Sequence, residues 1–341
     1  MSGSFVAVRR KTVRLSSAEL VTTGYLSAGA RNLPLVIQPK VEGVDLIGWT
    51  ESQRALIESE LLGHGAILFR DFGVESETHF EKFARTLTPE LIDYLERAAA
   101  RREVAPNIFT STEYPADQAI PLHHEMSYSH NWPGKIYFYC AQPALSGGAT
   151  PISNDRVVIN RIDPAIKEQF RRKKVMYVRN FGVGLDLSWQ EAFQTTDRAV
   201  VERYCAGVHM TCEWRDGDRL RTRSVRQTFA THPVTGEIVW FNHAHMFHIS
   251  NVEHSAREAL LAHFREDELP RNAFYGDGSP IESSVLSEIR EVYAEAAVRF
   301  CWEEGDVLLL DNFLTSHGRE AFTGPRRILV AMADLFTPST V

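Results

Sequence analysis

The 341-residue sequence predicts a mainly β chain with flanking helices around a double-stranded β-helix, or jelly roll, core. Three observations predict it. First, the run 327–336 is apolar on both faces: Arg327, Leu329, Ala331 and Ala333 share one side, and Ile328, Val330 and Met332 the other. Strand side chains alternate, so such a strand needs a partner sheet inside and helices outside. Second, strand-like runs separated by Gly and Pro turns cluster from residue 135 onward. Third, a His-x-Glu pair at 123–125 and a distant His317 flank these strands, and a double-sheet barrel can bring such segments to one point.

The elements follow in order. Residues 1–44 mix polar and apolar character and predict a partly extended N-terminal arm; 45–341 predict a single domain, with a lid or insertion within 155–235. Thr50 is the expected N-cap of a helix over 52–62, with Gly63 at its C′ position. The apolar run 65–70 reads as a buried strand, and 77–100 as helix broken near Thr88-Pro89. Aromatic and branched residues over 135–140 favour extended structure. Ser146-Gly147-Gly148 is a turn leading into 149–153. Asp163 caps and Pro164 opens a helix to about Lys174, and a strand over 175–181 follows. The turn His232–Gly236 delivers a strand over 238–242. Leu286, Ile289, Tyr293 and Ala297 recur at helical spacing within 284–300. The apolar strands 306–311 and 327–336 flank an expected loop carrying His317.

Composition narrows the function classes. A hydrophobic content of 44% and a charged content of 24% are ordinary globular values. A net charge of −7 argues against a general nucleic-acid binder. Cys140, Cys205, Cys212 and Cys301 show no C-x-x-C spacing, which fits free thiols in a reducing compartment. No apolar run approaches bilayer length and the N-terminus lacks a signal-like core, so a soluble, cytoplasmic protein without nucleic-acid or membrane partners is expected.

His123 and Glu125, two apart in extended chain, share a face, and His124 points away. Two neutral imidazoles and one carboxylate suit Fe(II), Mn(II) or Zn(II). In a chain with 13 histidines the pair alone is a weak signal. It gains weight from the distal Asp311-Asn312, His317 and Arg326-Arg327, which add a third ligand and an anion-binding cation. A zinc-dependent hydrolase or a noncatalytic metal-binding barrel is the reading from another class.

The ordered motifs are Gly-Ala-Ile-Leu-Phe-Arg-Asp-Phe at 65–72, Pro-Leu-His-His-Glu-Met-Ser-Tyr at 121–128, Gly-Gly-Ala-Thr-Pro-Ile at 147–152, Val-Trp-Phe-Asn at 239–242 and Gly-Asp-Val-Leu-Leu-Leu-Asp-Asn through Arg-Arg-Ile-Leu-Val at 305–330. Together they resemble the Fe(II)/2-oxoglutarate dioxygenases of the taurine dioxygenase and clavaminate synthase type, from about residue 50 to the C-terminus. The resemblance implies Fe(II) held by His123, Glu125 and His317, with 2-oxoglutarate and O2 as cosubstrates. It also implies that Thr150 and Arg327 bind the far carboxylate of 2-oxoglutarate, with Arg326, expected on the opposite face, as the competing assignment. Such a dicarboxylate clamp weighs against the hydrolase and the noncatalytic barrel.

Glutamate in place of the commoner aspartate is similar to the subgroup that hydroxylates amino acids, free or tethered to a carrier protein. A carboxylate ligand also argues against halogenation. Ala331 stands where relatives acting on small anions often place a second arginine, so a free anionic head group lacks its anchor there. The expected reaction is hydroxylation of an unactivated C–H bond of an amino-acid-derived substrate in specialised metabolism, with desaturation or epoxidation of a small molecule as the alternative.

Among other residues, Glu113, Tyr114, Asn242 and His243 are candidate substrate contacts. His243, His245 and His248 read as hydrogen-bonded core or substrate groups, not a second metal site, and Arg319 reads as a buried brace. Arg171 to Lys174 read as a solvated helix end, favoured by the helix dipole, with an acidic carrier protein as the competing partner. Trp189, Phe193 and Trp214 read equally as lid or as core.

Overall fold

The computed structural model describes residues 17–26, 33–93 and 95–338. Its largest sheet has eight strands in the order Val21–Gly24, Leu35–Pro39, Ala66–Phe69, Val307–Asp311, Trp132–Gln142, Arg327–Phe336, Ile108–Thr110 and Glu103–Ala105. Pairing is antiparallel except between Leu35–Pro39 and Ala66–Phe69. The described part of the N-terminal arm holds a short 3-10 helix, Ser17–Leu20, and two strands that form one end of this sheet. Residues 1–16 and 27–32 of that arm lie outside the described residues.

The alternation along 327–336 is realised in the packing. Ile328, Val330 and Met332 enter a cluster with Ile136, Phe138, Leu308 and Leu310. Leu329, Ala331 and Ala333 face the other way, into a cluster with Trp49 and Ile57 from one helix and Phe80 and Phe83 from another. A three-stranded sheet of Ile120–His123, Thr315–Arg319 and Ile152–Asn154 carries the two histidines of the triad.

Helix boundaries differ from expectation near residue 50. The helix is Leu46–His64, and Asp45 caps it by accepting from the Ile47 and Gly48 amides at 3.2 and 3.0 Å. Thr50 lies inside this helix and is buried. The predicted start coincides with an interruption, because Gln53 leaves helical geometry at φ −121°. Gly65, not Gly63, ends the helix, at φ 82°. A Cβ there would collide with the Thr315 hydroxyl on the His317-bearing strand, so only glycine fits. The second helix stops at Leu87, and the described residues of 89–93 and 95–100 are irregular rather than helical. Pro89 disfavours helix at Thr88, and no helix resumes among the described residues up to 100.

Residues 175–226 add Val175–Phe181, Met210–Arg215 and Arg219–Arg226 to a second sheet completed by Arg271–Tyr275. Trp189 and Phe193 are buried in a local cluster with Phe181, Val201 and Leu220, against which Trp214 packs. They are core residues of this segment.

Candidate active site

His123 ends its strand and pairs across the sheet with His317, which sits on the strand Thr315–Arg319 and not in a loop. The close approach of these strands needs Gly318: a Cβ there would lie 2.6 Å from the Ile120 carbonyl. Glu125 is beyond the strand end. Asn312 holds it there, accepting from the Glu125 amide at 2.9 Å and donating to its carbonyl at 3.0 Å. Met126 then turns the chain in the left-handed region, at φ 58°. His124 points away from the pair, as alternation demands. It bonds the Asn312 carbonyl at 2.6 Å and lies 3.1 Å from Asp155. Asn312 of the distal motif therefore braces the His-His-Glu turn, while Asp311 accepts from the Phe313 and Leu314 amides and pairs with His232.

Ligand atoms of His123, Glu125 and His317, all buried, lie within 4.8 Å of one another. His123 donates from Nδ1 to the Pro121 carbonyl at 2.8 Å, which leaves the Nε2 lone pair for a metal. His317 Nε2 is 3.8 Å from Glu125 Oε2, beyond hydrogen-bond reach, and its buried Nδ1 has no hydrogen-bond partner. Burial lowers His123, although Glu125 opposes it. Burial also lowers His317 well below the usual histidine range, and His123 beside it adds to the shift. Both imidazoles are thus held neutral, as metal ligation requires. Converging buried donors that do not satisfy one another fit a divalent cation.

A cavity opens beside this group, walled by Thr150, Phe138, Arg101, Arg319 and Arg326. The Arg326 Nε donates to the Gly148 carbonyl at 3.1 Å, and its Nη2 lies 3.5 Å from the Thr150 hydroxyl. Trp302 donates to that hydroxyl at 2.9 Å, leaving the hydroxyl proton free to be donated onward. Burial, with Arg319 alongside, pushes Arg326 down to about 10. It stays protonated at neutral pH but short of negative charge, a condition that a bound carboxylate relieves.

Arg327 is a correction. It lies on the outer face, about half exposed, and pairs with Glu77 at the start of the second helix. Arg326 and Arg327 do face opposite ways, but the face toward the cavity is the one carrying Ile328, and Arg326 belongs to it. The same shift displaces the argument from Ala331, which packs under the helices. The inward residue four past Arg326 is Val330, again not an arginine.

The remaining expectations divide. His243 is buried against the metal group, its ring 5.3 Å from that of His123, with Nδ1 bonded to Ser127 at 2.6 Å. Asn242 is spent structurally, donating to the Thr228 carbonyl and accepting from the Ala244 amide. Glu113 is exposed and pairs with Arg102 at 3.2 Å. Tyr114 is 45% exposed, and its carbonyl accepts from Arg319, which also donates to the carbonyls of Pro115 and Gln118. Arg319 is the expected brace, and it also walls the cavity. Arg101, Phe138 and Trp302 carry no local motif and are missed by sequence reasoning.

His245 and His248 are hydrogen-bonded core groups. His245 Nε2 donates to the Leu122 carbonyl at 2.8 Å. Burial first, then Arg290 for both, pushes His245 down to about 3 and His248 to about 4. An unfolded histidine protonates near ~6.5, so their stabilisation is complete above that pH and is lost as pH falls toward the folded values. Denaturation midpoints should fall steadily below about pH 6.5. His245→Gln, which retains a donor, should flatten that slope by up to about 1.4 kcal/mol per pH unit, and an unchanged slope would refute the assignment.

The family model described as "Taurine catabolism dioxygenase TauD, TfdA family" matches residues 30–332. The chain is 44% identical over 283 residues to the dapdiamide synthesis protein DdaC of Enterobacter agglomerans, covering 83% of this chain and 86% of that one. It is 30% identical over 293 residues to a clavaminate synthase-like protein of Arabidopsis thaliana, covering 83% and 85%. Among solved structures it is similar to PvcB of Pseudomonas aeruginosa, with a TM-score of 0.53, 17% identity and coverage of 95% and 94%. It is also similar to AAD-2 in complex with Mn(II) and N-oxalylglycine, with a TM-score of 0.52, 13% identity and coverage of 94% and 99%. No helix among the described residues is long and apolar enough to cross a membrane. Two buried histidines and a glutamate converging beside an arginine-lined cavity, in a chain matched from residue 30 to residue 332, make this protein a member of the TauD, TfdA family, a non-haem iron dioxygenase that uses Fe(II), 2-oxoglutarate and O2.

Proposed function

We propose that the enzyme hydroxylates an unactivated C–H bond of an amino-acid-derived substrate, free or tethered to a carrier protein, in the synthesis of a natural product. The observation that carries the reading is the convergence of His123, Glu125 and His317 beside Arg326 and Thr150. In this reading the three side chains hold the iron, and Arg326 and Thr150 hold the far carboxylate of 2-oxoglutarate. A planar guanidinium suits that end because it can donate two parallel bonds to one carboxylate. When bound, the metal and cosubstrate supply the oxidising power to break an unactivated C–H bond. The protein keeps both imidazoles neutral, orients Glu125 through Asn312 and lines the cavity with apolar Phe138 and Ile328, which limit water. Antiparallel strands on two facing sheets, one carrying both histidines, support a double-stranded β-helix as the core. Similarity to a dapdiamide synthesis protein supports a biosynthetic role.

The test is an oxygen-free titration of the protein with Fe(II) and 2-oxoglutarate. A visible metal-to-ligand charge-transfer band is expected, and its absence would sink the assignment of the site. Amino-acid and carrier-loaded candidates are then screened for succinate release. A product that carries one oxygen from O2 inserted at a saturated carbon supports hydroxylation, whereas loss of two hydrogens, or oxygen added across a double bond, overturns it.

A further inference from the structure

Arg101 stands on the carboxylate of Glu125. Its Nη2 lies 2.7 Å from Glu125 Oε2, and the same nitrogen donates to the Thr112 hydroxyl at 3.2 Å. Both charged side chains are only 4% exposed. A short, buried guanidinium–carboxylate bond is charge-assisted and little screened by solvent. The backbone leading to Arg101 is braced. The Tyr128 hydroxyl donates to the Glu96 carbonyl at 2.8 Å, Arg179 to that of Arg97 at 2.8 Å, and Arg271 to that of Ala98 at 3.0 Å. Directly before Arg101 the Glu113 amide donates to the Ala100 carbonyl at 3.0 Å, and on the far side the Thr110 amide donates to the Arg102 carbonyl at 2.8 Å. Arg101 therefore projects from an anchored segment.

We propose that Arg101 is a positioning residue that holds one oxygen of Glu125, so that the carboxylate offers the metal a single fixed donor. The inference rests on the reading of His123, Glu125 and His317 as metal ligands. Glutamate carries one more side-chain torsion than aspartate, so its carboxylate has more freedom to swing, and a carboxylate can close on a cation with both oxygens. A facial set of three ligands leaves the other positions for cosubstrate and oxygen, and a second oxygen from Glu125 would take one of them. The restraint on that swing is Nη2 at Oε2, with Thr112 behind it. Coulomb's law alone pushes the other way, because a cation beside a metal site repels the metal. That opposition gives the test its sign.

The experiment is calorimetric titration of metal-free protein with Mn(II), without cosubstrate, for the wild type and for R101M, R101K and T112V. Thermal unfolding of each variant and the visible spectrum of its Co(II) complex are recorded alongside. R101M should bind Mn(II) about 10–100-fold more weakly, the usual loss when a partner of a metal ligand is removed. R101K should recover part of the affinity and restore the wild-type Co(II) spectrum, since an ammonium can donate to the same oxygen. T112V should fall between them. R101M binding Mn(II) as tightly as wild type, or more tightly, overturns the inference while leaving the metal site standing. Failure of the wild type to bind Mn(II) overturns both. If R101M does not fold, T112V decides: weaker Mn(II) binding than wild type supports the inference, and binding as tight as wild type overturns it.

Discussion

His317→Ala should abolish both the charge-transfer band of the oxygen-free Fe(II)–2-oxoglutarate protein and all succinate formation. The substitution removes one of three converging ligands and leaves a site too poor in donors to hold iron at working concentrations. Stability should hardly suffer. The wild-type imidazole is buried with an unpartnered Nδ1, and such a group costs about 1–3 kcal/mol. Its removal offsets much of the loss from the small cavity left behind. Metal-free His317→Ala should therefore melt close to metal-free wild type, whereas added Mn(II) should raise the melting temperature of wild type alone. A variant that keeps the band would move the ligand assignment elsewhere.

The second large effect separates two adjacent arginines. Arg326→Ala should weaken 2-oxoglutarate binding by about 10- to 150-fold, as loss of a part-buried, charged hydrogen-bonding partner is worth about 1.5–3 kcal/mol. Arg327→Ala should leave that affinity within about twofold and remove only a half-exposed pair with Glu77, worth at most about 1 kcal/mol. Titration of the charge-transfer band with 2-oxoglutarate in both variants reads the difference directly. The reverse pattern would mean that the strand rotates when the cosubstrate binds.

The triad was legible because ligand chemistry constrains residue type and order: His-x-Glu, a distant His and a following arginine pair form a pattern that little else requires. Thr150 was legible through its motif. Arg326 was not, because periodicity states that neighbours face opposite ways and is silent about which way is in. Arg101 left no signal at all. It reaches Glu125 from an irregular segment, across 24 residues of chain, through a contact only the folded loop creates. Arg319 could be recognised as a brace but not as a cavity wall, for the same reason.

By itself the sequence determined which two histidines and glutamate converge, the two-faced burial of 327–336, and elements with strong local chemistry such as the Asp163-capped helix Pro164–Lys173 and the strand Val175–Phe181. These depend on residue types and short spacings, which the linear order preserves. Only the tertiary structure decided that Asp45 and Gly65 bound the first helix, that the N-terminal strands join the large sheet, that Arg326 and not Arg327 lines the cavity beside His123 and His317, and that the buried Arg101 guanidinium pairs with Glu125. Each of those outcomes is set by which surface a residue is pressed against, and that is a property of packing between segments far apart in the chain.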